Sequence, residues 1–481
     1  MEYEPVIGLE IHAEMQTRSK IFCGCPTTFG AEPNTQVCPI CLGLPGVLPV
    51  LNEAVLDLGL RAALALNCKI HRRTYFERKN YYYPDLPKNY QISQKAVPLG
   101  YDGWVEYEVD GRTHRVRILD LHLEEDAGKL IHPEEPGADF SLVDLNRAGV
   151  PLLEIVCAPD MHSLEELQAF MTTIREILMY TGVSDCRMER GSLRFEAGVS
   201  VRPKGSQTIG VRIAEIKNLN SFKAVMGAVG YEIRRQIQAL ERGEPLRPET
   251  RLWDEKRGVT EAMRRKEEAQ DYRYFPEPDL VPFLIDEERL ERVRASLPEL
   301  PAARRRRMQE QYGLSAYAVG VLTQSKELAD FFEECVRHGA DPKLASNWVM
   351  GEFLGALNLA GIEVSEAKMT PEHLAELLLL MDRGTITGRV AKEVFQKAFQ
   401  TGRSPRAIVE EEGLGQIADT SALEAIIDRI LATPDGQSAA ENYRRGKTQA
   451  LRFLVGQVMK ETRGQANPQL VHQLLERRLG T

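Results

Sequence analysis

The sequence predicts an α+β chain, β-rich to about residue 292 and all-helical beyond it. Up to that point, alternating apolar and polar residues are broken by Gly, Pro and Asn, with helical patterns confined to stretches such as 52–66 and 163–181. The stretch "DEERLERVRASLPELPAARRRRMQEQYGL" is then rich in helix formers, with Pro at punctuation points, and opens a run of short helices to about residue 400. Finally, "QTGRSPRAIVEEEGLGQIADTSALEAIIDRIL" joins Gly and Pro breaks to a fresh amphipathic set reaching the C-terminus. The expected division is 1–292, 293–403 and 404–481, since 481 residues are too many for one ordinary core.

Each β element contributes polar chemistry. In "VIGLEIHAEM", Ile7, Leu9 and Ile11 share one face of a strand, and Glu10, His12 and Glu14 share the other. Next come Cys23, Cys25, Cys38 and Cys41, spaced C-x-C-x₁₂-C-x₂-C, which match a structural Cys₄ zinc site in ligand count and reach. Two pairs of reduced thiols are the alternative. "FERKNYYYPDLPKNYQISQ" sets Tyr81, Tyr82, Tyr83 and Tyr90 among Arg78, Lys79, Asn80, Lys88 and Asn89, with Pro84 and Pro87 stiffening the loop. Rings beside cations suit a single-stranded nucleic-acid end or an adenine with its phosphates, and a packed Tyr-rich loop is the other reading.

In "VRILDLHLEEDAGK", Leu119, Leu121 and Leu123 are expected on one face and His122 and Glu124 on the other, with Glu125 and Asp126 at the strand end. "VPLLEIVCAPD" holds Glu154 as a lone carboxylate in an apolar strand, which an ordinary solvated face does not explain. "SLRFEAGVSVRP" sets Leu193, Phe195, Ala197, Val199 and Val201 against Arg194, Glu196, Ser200 and Arg202, and "VRIAEIKNLNSF" delivers Glu215 and Lys217. Carboxylates from several strands converging on one face would repel unless cations lay among them. Oxygen ligands with one imidazole suit Mg²⁺ or Mn²⁺, and Mg²⁺ usually arrives with substrate phosphates. For any single glutamate, a hydrated or salt-bridged surface position is the competing account.

The second loop, "MRRKEEAQDYRYFPEPDLVP", repeats the mixture with Arg264, Arg265, Lys266, Tyr272, Arg273 and Tyr274. The run from Arg304 to Arg307 reads as a solvated helix face. The last 41 residues carry Arg444, Arg445, Lys447, Arg452, Lys460, Arg463, Arg477 and Arg478 against Glu441, Glu461 and Glu476, a local charge of +5.

Composition narrows the function classes. With 43% hydrophobic and 27% charged residues and no apolar run near the ~18 residues of a membrane helix, a soluble globular protein is expected. No signal h-region or Arg-rich transit segment is visible, which makes the cytoplasm the expected location. There the cysteines are not expected to form disulfides, and Cys68, Cys157, Cys186 and Cys335 read as buried small hydrophobes. A formal charge of −9 denies the chain the overall basic footprint of a simple nucleic-acid binder, so any such contact must be local. The sequence has no P-loop, no G-x-G-x-x-G opening a helix and no G-x-S-x-G elbow.

Several segments together resemble the GatB family, the B component of the tRNA-dependent Asp/Glu amidotransferase: "VIGLEIHAEM", "FGAEPN", "PGVLPVLN", "RKNYYYPDLPKNYQISQ", "LHLEEDAGK", "SLVDLNRAGVPLLEIV", "EIKNLNSFKAV", "DYRYFPEPDLVP" and "NYRRGKTQALRFLVGQVMKETRGQANPQLV". The resemblance runs in order over essentially the whole chain. It implies a catalytic cradle domain, a helical domain and a YqeY-like tail that binds tRNA. It further implies a subunit that phosphorylates the side-chain carboxylate of misacylated Glu-tRNA(Gln) or Asp-tRNA(Asn) with ATP and amidates it with ammonia. The ammonia would come from an amidase (A) subunit, held in place by a small C subunit, and an aminoacyl-tRNA synthetase is a further candidate partner.

Carried over by motif, Glu10, His12, Glu125, Glu154, Glu196 and Glu215 would hold Mg²⁺, and Lys217 would contact phosphate. Lys79, Asn80, Tyr81, Tyr82, Tyr83, Lys88, Tyr90, Arg194 and Arg273 would lie near the aminoacylated end or ATP. From the local charge of the last 41 residues, Arg444, Arg445 and Lys447 are expected to grip tRNA through its phosphates. The cysteines would clamp the loop between "GLEIHAEM" and "PGVLPVLN" on a structural Zn²⁺. The family usually reads R-C-D-A-N where this chain has Arg194, Phe195, Glu196, Ala197 and Gly198. Glu for Asp keeps the charge and adds a methylene. Two other classes remain at this point: a non-catalytic tRNA-binding scaffold and a zinc-ribbon nucleic-acid module.

Overall fold

The structure, a computed structural model, describes residues 2–133, 139–206, 213–265, 271–415 and 420–480. The chain is α+β, with its sheets in the first part and helices throughout the second. It divides into two compact units that meet in sequence at Pro301/Ala302.

The first unit is built on a nine-stranded sheet. Its strands are β1 (Tyr3–Glu14), β2 (Lys69–Ile70), β3 (Gly100–Val109), β4 (Arg112–Glu125), β5 (Pro151–Cys157), β6 (Leu193–Pro203), β7 (Ala214–Leu219), β8 (Glu249–Asp254) and β9 (Val259–Arg265). The spatial order is β9-β8-β7-β6-β1-β5-β4-β3-β2, which puts the first strand in the middle. All neighbours are antiparallel except β7 and β8.

The expected alternation in β1 holds: Ile7, Leu9, Ile11 and Ala13 are fully buried. They share one core with α1 (Glu53–Ala65), α2 (Leu164–Tyr180) and α3 (Phe222–Glu241). Each helix starts at a side-chain cap. Asn52 accepts from Ala54 N at 3.0 Å, Ser163 from Glu166 N at 3.1 Å and Ser221 from Ala224 N at 3.0 Å. Fully burying an Ile or Leu contributes about 1.5–3 kcal/mol, so the apolar face fixes the sheet's orientation and leaves the other face for chemistry. α4 (Glu287–Ala295), which contains position 292, packs on α1, with Arg289 Nε 2.7 Å from Asp57 Oδ1.

One expected alternation breaks. Leu119 is 49% exposed, whereas Ile118, Leu121 and Leu123 are fully buried. The register of β4 on β5 slips by one between Val156/Cys157, where Cys157 faces Ile118 and Val156 faces Asp120. Leu119 is therefore the extra residue of a β-bulge, and the parity of the strand resets after it. Ile118→Ala is expected to cost about 2–4 kcal/mol and Leu119→Ala about 0.5 or less, measured by urea unfolding.

The second unit is helical and contains two separate apolar cores. One is formed by residues between Met308 and Val409, and the other by residues between Leu423 and Leu479. Cys68, Cys157, Cys186 and Cys335 are all buried, as expected.

The Arg304–Arg307 run departs from the sequence reading at Arg304, while Arg306 is exposed. Arg304 is buried, with Nη2 2.7 Å from Asp330 and 2.5 Å from Glu333, and Arg307 Nη1 lies 2.6 Å from Glu333. A run of one charge looks solvated in sequence because its partners sit one helix away. Partial burial pushes the Glu333 carboxyl up, but Arg307 and Arg304 outweigh it and hold it down at about 2. A depressed carboxyl contributes stability above its unfolded value of about 4.5 and loses it as pH falls toward 2. Glu333→Gln should thus cost about 2–3 kcal/mol at pH 7, and urea melts should show the gap closing below about pH 4.5.

Candidate metal centre

The polar faces of five adjacent strands, β7-β6-β1-β5-β4, carry the predicted Glu10, His12, Glu154, Glu196, Glu215 and Lys217. Antiparallel register aligns them: His12 lies opposite Arg194 on β6 and Glu154 on β5, and Glu154 lies opposite His122 on β4. Two residues further along β1, on the same face, Glu10 lies opposite Glu196.

His12, Glu124 and Glu154 form a compact donor group, with one ligand atom from each lying within 4.8 Å of the others. His12 Nε2 is 3.4 Å from Glu154 Oε2 and 3.9 Å from Glu124 Oε1. His122 supports the group from behind, with Nε2 3.3 Å from Glu154 and Nδ1 2.8 Å from Asp120. One imidazole and two carboxylates are a donor set suited to a hard divalent ion such as Mg²⁺ or Mn²⁺.

The electrostatics point the same way. Burial opposes charge on His12, yet Glu154, Glu124 and Glu196 more than compensate and raise it. His122 behaves likewise and stands at about 10, with Glu154 and Asp120 overcoming burial. Burial drives Glu124 up, joined by repulsion from Glu154, while the two histidines draw Glu154 down against its own burial. The carboxylates thus draw positive charge to this spot, the need a metal cation meets. Lys79 adds to it: burial disfavours its ammonium, but Glu124, Tyr274 and Glu154 raise it nonetheless. Its Nζ sits 5.1 Å over the Tyr272 ring and 5.9 Å over Tyr81.

Further along the face lie Glu10, Glu196 and Glu215. Lys217 Nζ is 2.9 Å from Glu196 and 3.5 Å from Glu215, so the lysine sits between two carboxylates. Phe195 faces the core and packs edge-on against Phe222 at 5.7 Å, leaving Glu196 as the site-side member of that stretch.

Glu125, expected from the motif as a ligand, lies outside this donor group. Consecutive strand residues point to opposite faces, so Glu124 joins His122 while Glu125 turns away. Glu125 ion-pairs with Lys88 and accepts from Ile92 N at 2.9 Å. Parity counted from Leu121 and Leu123 was the available signal for Glu124. Arg194 is also committed elsewhere, with Nη1 2.9 Å from the buried Asp126. Beside that pair, burial and the Asp126 carboxylate push Glu14 up to about 8.

In the Tyr-rich loop, Asn80 is a tether: its Nδ2 donates to the carbonyls of Tyr272 at 3.2 Å and Arg273 at 2.9 Å, joining the two aromatic loops. Tyr90 lies under Arg78 at 4.1 Å, and Arg78 is held by Glu277 at 2.6 Å. Tyr82, Tyr83 and Arg273 are exposed. Lys266 lies outside the described residues, as do the side chains of Arg264 and Arg265.

Cys23, Cys25, Cys38 and Cys41 come together, with one sulfur from each inside a 4.8 Å cluster and Cys38 and Cys41 3.9 Å apart. Tetrahedral zinc at about 2.3 Å from each sulfur requires about 3.8 Å between sulfurs, so the donor set fits zinc. The Cys23 thiol hydrogen bond chiefly holds Cys41 down at about 4, while burial raises Cys25 to about 11. A cavity of about 190 Å³ is lined by this loop together with Lys88, Tyr90 and Glu125.

Comparison with known proteins gives the family. Residues 5–291 match the GatB/GatE catalytic domain and residues 330–479 match the GatB domain. The chain belongs to the GatB family. It is 56% identical over 479 residues to the B component of the aspartyl/glutamyl-tRNA(Asn/Gln) amidotransferase of Carboxydothermus hydrogenoformans, covering 99% of both chains. The same-named protein of Moorella thermoacetica is also 56% identical, with 100% of each chain covered, and that of Caldicellulosiruptor saccharolyticus is 52% identical over 484 residues, covering 100% of this chain and 99% of its own.

The GatB domain match includes the basic C-terminal stretch. There Arg444, Arg445, Lys447 and Arg452 are exposed, whereas Arg478 Nε is engaged by Asp428 at 2.9 Å. Among the described residues of this GatB member, no helix is long and apolar enough to cross a membrane.

Proposed function

We propose that this chain is the kinase and amidation subunit of an ATP-dependent, glutamine-hydrolysing amidotransferase acting on Glu-tRNA(Gln) or Asp-tRNA(Asn). The observation that carries the reading is the His12–Glu124–Glu154 group, set in a strand face that continues through Glu10, Glu196, Glu215 and Lys217. The names of its relatives supply the substrate class.

The chemistry requires such a face. A carboxylate is a poor electrophile because its leaving group would be oxide. Transfer of the γ-phosphoryl group of ATP gives an acyl phosphate and ADP; ammonia then attacks the carbonyl carbon, phosphate leaves, and a proton is released with the amide. Phosphoryl transfer is mainly positioning and charge neutralisation. His12, Glu124 and Glu154 would hold Mg²⁺, which supplies that neutralisation when bound. Glu10, Glu196 and Glu215 extend the same acidic surface, and Lys217 offers an ammonium to phosphate oxygens. Lys79, over its tyrosines, faces the same carboxylates. The ammonia would come from an amidase (A) partner positioned by a small C subunit, while the exposed Tyr82 and Tyr83 offer stacking surfaces to the aminoacylated end. Zn²⁺ on the cysteines would be structural.

The test is ADP formation and amide product from each misacylated tRNA by the chain co-purified with its amidase partner, with ATP and Mg²⁺. ADP release that requires misacylated tRNA is expected. Tight tRNA binding without ADP would instead make the chain a scaffold.

A further inference from the structure

Lys20 is fully buried. Burying an ammonium is costly unless an anion and hydrogen-bond acceptors receive it. Among the described residues no carboxylate lies within ion-pair distance of it; its Nζ donates to Cys41 Sγ at 3.6 Å and to the Leu145 carbonyl at 3.4 Å. The side-chain acceptor that Lys20 meets among the described residues is therefore the Cys41 sulfur.

The surrounding backbone fixes this arrangement. Lys20 N donates to the Cys25 carbonyl at 2.9 Å, so one residue ties the first cysteine pair through its backbone and the second through its side chain. Asn52 Nδ2 donates to the Ser19 carbonyl at 3.2 Å and the Lys20 carbonyl at 3.4 Å, holding the segment against the start of α1. Gly149, at φ +84°, closes the other side; a Cβ there would stand 3.5 Å from both Cys41 Cβ and Lys20 Cδ. Cys41 Sγ also accepts from Cys38 N at 3.1 Å, so two N–H donors converge on one sulfur.

Four thiolates around one divalent ion leave a net charge of about −2 in a partly buried loop, and groups beyond the ligands then decide how firmly the metal is held. We propose that Lys20 is the charge-compensating partner of the cysteine site, its ammonium donating to Cys41 Sγ and setting the affinity for zinc. This rests on the zinc reading above. Lys20 is a positioning residue for the ligand sulfur; it does not bind the metal.

The experiment is zinc competition against a chromophoric chelator on the full-length chain, with cobalt substitution as a second readout. The wild type should hold one zinc. Lys20→Met, of similar length and apolar, should hold it about 10–100-fold more weakly, the range for loss of such a supporting partner. Lys20→Arg, which keeps the charge, should recover most of that affinity. In the cobalt form, loss of an N–H···S bond should move the thiolate-to-metal absorption to lower energy in Lys20→Met. Wild-type affinity and spectrum in Lys20→Met would overturn the proposal. Equal weakening in both variants would also overturn it, reducing Lys20 to packing. A wild-type chain that takes up neither metal would overturn the zinc reading itself, and this inference with it.

Discussion

Glu154→Gln is expected to lower tRNA-dependent ADP formation by about 10²–10³-fold, the range for removing one preorganised charge-stabilising group from an active site. Glu154 is the hub of the face: its carboxylate lies 3.4 Å from His12 and 3.3 Å from His122, and its strand neighbours Leu153 and Ile155 carry the packing. The substitution removes a negative charge without removing core volume, so the fold should persist and the loss should fall on chemistry. Glu124→Gln should behave in the same way. Glu125→Gln should not, because Glu125 holds Lys88 and the Ile92 backbone, and its loss should register as looser anchoring of the Tyr-rich loop. Comparing the three variants by ADP release, with unfolding measured in parallel, separates ligand from anchor. Undiminished ADP formation in Glu154→Gln would place the phosphoryl-transfer site on a different face.

The second large effect is expected on tRNA binding. Changing Arg444, Arg445 and Lys447 together to Gln should weaken tRNA affinity about a hundredfold near 0.1 M salt and flatten the slope of log K against log salt by about 2. All three are exposed, and Arg445 pairs with a solvent-exposed Glu441 at 3.5 Å, a pair too weak to compete with phosphate. On a chain of net charge −9, this local excess of +5 is where phosphate contacts should concentrate. An unchanged salt slope would contradict it.

Much of this architecture was legible because it follows from period-two alternation. The Ile7, Leu9 and Ile11 face of β1, the strand carrying Glu196 and the helices near 52–66 and 163–181 are each set by a repeating local pattern. Glu154 announced itself as a carboxylate in apolar sequence. What stayed hidden depends on neighbours remote in sequence. The bulge at Leu119 exists only relative to β5. Arg304 is buried because Asp330 and Glu333 come from another helix. The bonds of Asn80 to the Tyr272 and Arg273 carbonyls and of Arg194 to Asp126 likewise join residues remote in sequence. The face count placed Glu124 beside His122 and the family motif pointed to Glu125; the donor group contains Glu124, one residue on a strand being a change of face. Lys20 gave no signal at all, since its partner sulfur lies 21 residues away.

The most direct measurement is the anomalous scattering of crystals soaked in Mn²⁺, recorded at a wavelength where manganese stands out. The account predicts a peak bounded by His12 Nε2 and the carboxylates of Glu124 and Glu154, lost in Glu154→Gln. A manganese peak at Glu125 and Lys88, or none on this strand face, would contradict it.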